Sequence, residues 1–112
     1  MRGDSTVFFY VIQLFDVNYK DDMILALTSA GILKATIVEG SNLDRMLDAD
    51  FPLFTGFFRG PDEKERSSLL FFGTVANREK LASAADLLID SGVDNRDGVV
   101  FRMLTMEGQE IA

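Results

Sequence analysis

The stretch best equipped for chemistry is SGVDNRDG, Ser91 to Gly98. A Gly-rich turn at a helix end exposes backbone amides, Arg96 offers a planar fork for phosphate or carboxylate, and Ser91 adds a hydroxyl. The chemistry these residues suit is anion binding. Asp90, Asp94 and Asp97 oppose an anion by charge. The same residues also make an ordinary helix-to-strand turn, with Gly92 as the left-handed stop and Gly98 supplying a special backbone angle. A Ca²⁺ loop needs acids at alternate positions around a central Gly, and that pattern fails at Val93. No metal site is expected. Asp44, Asp48 and Asp50 read as solvated loop charges, and Arg59, Lys64 and Arg66 alternate in sign with Asp62, Glu63 and Glu65 as on a self-neutralising surface.

A second stretch, FPLFTGFFRG from Phe51 to Gly60, holds four of the ten Phe. Phe51, Leu53, Phe54, Phe57 and Phe58 could each anchor in a partner pocket, at roughly 1.5 to 3 kcal/mol per fully buried large side chain, with Arg59 beside them. They could equally pack on the chain's own sheet or on a neighbouring subunit. Sequence alone leaves a docking arm and an interface strap as alternatives.

The 112 residues fit one domain, 1–112, with one core and no separate catalytic domain. The chain contains no Cys and no His, which removes thiol nucleophiles, thiolate metal sites and the commonest general base. Only carboxylates, Lys, Tyr10 or Tyr19 could act as a base, and no acid and base stand at a telling spacing. A non-enzymatic protein without a cofactor is expected. A net charge of −7 repels a phosphate backbone, so nucleic acid is not an expected partner. The apolar run near the start is too short to span a membrane and lacks a small-residue cleavage site, so a soluble, cytoplasmic protein without membrane insertion is expected.

The elements that must position these stretches follow from changes in hydrophobic periodicity. Thr6 to Phe15 is apolar at almost every position, as in a central strand. Asn18 is placed to cap a helix whose buried stripe is Met23, Ile24, Leu27 and Ala30, and Gly31 stops it. Leu33 to Gly40 mixes polar and apolar residues, as in a strand nearer a sheet edge. A long loop then runs to about Arg66, with a short helix at NLDRMLDA. Ser67 to Val75 is a second central strand, in which Gly73 marks a bulge or a close approach. Asn77 caps a second helix with the stripe Leu81, Ala84, Ala85 and Leu88. Val99 to Met106 forms the last strand, followed by a short tail.

This order is that of an α+β, ferredoxin-like βαββαβ sandwich: a four-stranded antiparallel sheet with two helices on one face. The other face would be bare in a single chain, although the first strand is apolar at both parities. A bare apolar face of that size predicts a homo-oligomer with its sheets packed together, or coverage of the face by Phe51 to Phe58.

From Phe8 to Met106 the chain resembles the PII-type signal proteins. FYVIQLFDVNYKDDMILALTSAGILKATIVEG is similar to the family's opening strand, its helix ending in Ala-x-x-Gly-Ile, and a second strand running to Gly at the root of the long T-loop. FFRG, Phe57 to Gly60, looks like the family's Leu-Tyr-Arg-Gly. SGVDNRDGVVF looks like its phosphate-gripping B-loop with one residue inserted. The resemblance implies a trimer with effector sites in the clefts between subunits, formed by Gly40, Ser41, Ser91, Gly92, Arg96 and Gly98. It also implies a T-loop-like segment at about 41–66 that docks on an unidentified protein partner, and a small anionic effector for which adenine nucleotides are the first class to test. Val99 stands where the family's B-loop Lys would be, and no Tyr lies between Gly40 and Arg66 to accept uridylylation. Two other readings of the residues are a dimeric ferredoxin-like α/β-barrel enzyme with a Phe-lined pocket and an assembly module without a ligand.

Overall fold

The computed structural model describes residues 5–44, 47 and 67–112. Its elements are strand β1 (Ser5–Leu14), helix α1 (Lys20–Ser29), strand β2 (Thr36–Ser41), strand β3 (Ser67–Val75), helix α2 (Glu79–Asp90) and strand β4 (Phe101–Glu110). The sheet has the order β2-β3-β1-β4 and is antiparallel throughout, so the apolar strands β1 and β3 are central. This is the ferredoxin-like α+β arrangement that the element order predicts.

Side chains of one parity build the core. Tyr10, Ile12 and Leu14 of β1, Leu69 and Phe71 of β3, and Phe101 of β4 meet Met23, Ala26 and Leu27 of α1 and Leu81, Ala84 and Leu88 of α2. Both helices therefore bury their stripes against the same sheet face. The helices end as their glycines require: Gly31 and Gly92 have φ of 86° and 105°, a region that costs an L side chain a steric clash. Asn77 accepts from the Lys80 amide at 3.3 Å and caps the start of α2.

Three boundaries differ from expectation for local reasons. The first cap is Asp16, not Asn18: its side chain accepts from the Asn18 amide and holds a 3-10 turn at Val17–Tyr19, directly after which α1 starts at Lys20. The β2 strand begins at Thr36 and not at Leu33; ahead of it the Lys34 carbonyl accepts from the Tyr10 phenol, 3.4 Å away. The β4 strand starts at Phe101 and runs to Glu110. Val99 belongs to the preceding 3-10 turn, and the ten residues of β1 offer a pairing partner for what reads in sequence as a tail. Leu43, Asp44 and Leu47 are helical.

The opposite sheet face carries Phe9, Val11, Leu70, Phe72, Val38, Leu104 and Met106, as the strand registers require. Phe9 is 43 % exposed, Leu104 58 % and Met106 69 %. The Phe9 and Phe72 rings lie 6.5 Å apart, centroid to centroid, on this face. No described helix is long and apolar enough to cross a membrane.

Candidate functional site

The residues with anion-binding chemistry gather at one end of the sheet. A single row of paired residues, Glu39, Leu69, Leu14 and Phe101, crosses all four strands there. Gly40 and Ser41 finish β2 at one edge of this row. Ser91, Gly92, Arg96 and Gly98 lie in the turn that enters β4 at the other edge. Three strand spacings separate the two edges, about 14 Å. Within one chain, therefore, the two groups share an end of the sheet but do not meet.

Around Gly40 and Ser41 opens a pocket of about 790 Å³, lined also by Lys20, Glu39, Ser67 and Ser68. The Ser41 and Ser67 positions pair directly across β2 and β3. The pocket offers hydroxyls together with a cation and an anion. Val17 and Leu69 add apolar surface to the lining, so the pocket is mixed in character.

The turn at the other edge is held by its own bonds. Arg96 places Nε 3.0 and 3.1 Å from the two Asp94 carboxylate oxygens and Nη2 2.7 Å from one of them. The Arg96 amide also donates to Asp94. These bonds hold the Asp94 carboxyl below its ordinary range, the side-chain bond from Arg96 being the main cause. The pair is open to water, with the Arg96 side chain 87 % exposed, so it is screened and contributes little to stability. Asn95 Oδ1 accepts from the amides of Val100 and Phe101 at 3.0 and 2.8 Å. Gly98 and Val99 donate to the carbonyls of Asn95 and Arg96. Asp97 and Gly98 both take positive φ, and Arg102 packs over Gly98 so closely that a Cβ there would stand 2.8 Å from its Nε. Ser91 Oγ donates to the Leu88 carbonyl at 2.8 Å and closes the end of α2. Most of the polarity that would grip an anion thus already has an internal partner; Arg96 Nη1 has none among the described residues.

Two residues with structural weight, Asn42 and Asn95, stand out only in the fold. In sequence each is one more Asn in a turn; Asn42 meets carbonyls 25 and 27 residues away, at Ser67 and Phe15, and Asn95 meets the amides of Val100 and Phe101 just ahead of it. Phe51, Leu53, Phe54, Phe57, Phe58 and Arg59 lie outside the described residues, as do Asp48 and Asp50. Among the described residues no three acidic side chains gather where they could hold a cation. No protein-family model matches the chain, and no curated protein matches it significantly in sequence.

Proposed function

We propose that the chain is a subunit of a non-enzymatic, PII-like regulatory trimer of the cytoplasm. It takes up a small anionic effector between subunits and controls a protein partner through residues 41–66. The observation that carries this reading is the division of the candidate site. Gly40 and Ser41 stand at one sheet edge, and Ser91, Gly92, Arg96 and Gly98 at the other, at the same level of the sheet. Two such edges come together when one subunit sets its β2 side beside the β4 side of the next. The apolar sheet face, on which Phe9, Leu104 and Met106 are exposed, supplies a reason for subunits to associate. An effector in such a cleft would compete with Asp94 for the Arg96 fork and find the Ser41 hydroxyl opposite. Binding that favours one arrangement of the segment after β2 changes affinity for a partner by linkage.

A thermal-shift titration with ATP, ADP, AMP, cyclic nucleotides and 2-oxoglutarate, with and without Mg²⁺, tests the effector. A ligand that binds only the folded state adds about 2.7 kcal/mol at 100 times its dissociation constant, which raises the melting midpoint visibly. The expected result is a dose-dependent rise with one compound that Arg96→Ala abolishes. A flat panel overturns the effector and favours the second reading, an assembly module without a ligand. The internal saturation of the 94–101 turn is the observation on that side.

A further inference from the structure

Asn42 is the single buried polar residue among the described residues, only 8 % exposed. Burying an amide costs free energy unless its hydrogen-bonding groups find partners. Its Nδ2 donates to the Phe15 carbonyl at 3.2 Å and to the Ser67 carbonyl at 3.3 Å. One side chain just past β2 thereby reaches both central strands, at the end of β1 and the start of β3.

The connection continues from Phe15. Its own amide donates to the Val100 carbonyl at 2.8 Å, and the Val100 amide donates to Asn95 Oδ1 at 3.0 Å. Asn95 in turn takes the Phe101 amide, at 2.8 Å, and so fixes the start of β4. An unbroken path of hydrogen bonds therefore runs from the residue that leaves β2 to the turn that enters β4, across the whole width of the sheet.

We propose that Asn42, Phe15, Val100 and Asn95 form a strut that makes the conformation of the 94–98 turn and that of the residues leaving β2 depend on each other within one subunit. A ladder bond joins each strand only to its neighbour. Asn42 instead joins the chain beyond β2 to β1 directly, past the intervening β3, and Phe15 passes any displacement to Val100. A change at the turn that moves Asn95 releases or tightens the start of β4, and the same motion reaches the Asn42 amide. The regulatory use of the strut rests on the effector reading, whereas the strut itself does not.

Native-state hydrogen exchange followed by NMR on the full chain, without any ligand, tests it. In Asn42→Ala the amides of Val100 and Phe101 should exchange at least about twofold faster relative to those of Tyr10 and Phe71 in mid-sheet, a factor matching the smallest couplings within a shared network. Exchange at Val100 and Phe101 that stays unchanged, or rises only in step with mid-sheet, overturns the strut. Asn95→Ala supplies the reciprocal reading and keeps the test decisive if Asn42→Ala does not fold. The Asn42 side-chain amide resonances should shift in that variant, and resonances that stay in place overturn the proposal. Because no effector is present, a flat nucleotide panel leaves this result standing, and an uncoupled strut leaves the effector titration standing.

Discussion

Tyr10 has no exposed surface, yet its phenol must keep a proton partner inside the core. The hydroxyl donates to the Lys34 carbonyl at 3.4 Å, a long bond, and burial pushes its pKa above 10.0. A phenol whose pKa is raised by folding binds its proton more tightly in the folded state. Its contribution is full below the unfolded value near 10 and is lost as pH rises through that value toward the folded one. Stability should therefore fall with rising pH above about 10. Tyr10→Phe should weaken that alkaline slope while costing about 0.5–1 kcal/mol near neutrality, as urea melts at pH 7 and at pH 10–11 would record. If the slope survives the substitution, another group is responsible for it.

At the scale of the element, close approach explains more than propensity. A Cβ at Gly73 would lie 2.9 Å from the Lys34 carbonyl oxygen and 3.1 Å from the Tyr10 hydroxyl, whereas one at Gly108 would meet nothing within 4 Å. Gly73→Ala should cost about 1–3 kcal/mol, because the obstructing atom is backbone, and Gly108→Ala should be close to neutral. Urea midpoints of the two variants check the contrast, and equal effects would refute it. The sequence marks Gly73 as a site of bulge or close approach, and the structure shows which backbone approaches. Runs such as TVFFYVIQL and SSLLFFGTV were legible as central strands because they are short, apolar throughout, enriched in β-branched and aromatic residues, and bounded by turn formers and charges. The edges were less legible, since their limits depend on partners. Thr36 rather than Leu33 opens β2, with the Lys34 carbonyl ahead of it turned to a phenol of β1, and EGQE is strand because Ser5 to Phe8 lies beside it. The same holds for the candidate site. Arg96 and its glycines announce anion chemistry, but the carboxylate already in the Arg96 fork and the Asn95 bonds to β4 arise from folding.

For the whole molecule, the apolar sheet face opposite the helices dominates among the described residues. Val11, Phe72, Leu104 and Met106 are neighbours there through the strand registers, and charge is sparse among them. Placing Glu at both Leu104 and Met106 should abolish association while leaving the fold intact, because both side chains are already more than half exposed in the single chain. Sedimentation should show an oligomer for the parent chain and a monomer for the double variant, with unchanged far-UV circular dichroism. A monomeric parent would remove the trimer and the inter-subunit cleft together. The pairing of Ser5 with Glu110 has a separate, practical consequence. The two ends of the described fold lie side by side at the sheet end remote from Ser41 and Arg96, nine residue steps or about 30 Å along β1. Fluorophores attached beside Ser5 or Glu110 would report on the assembly without crowding its candidate site.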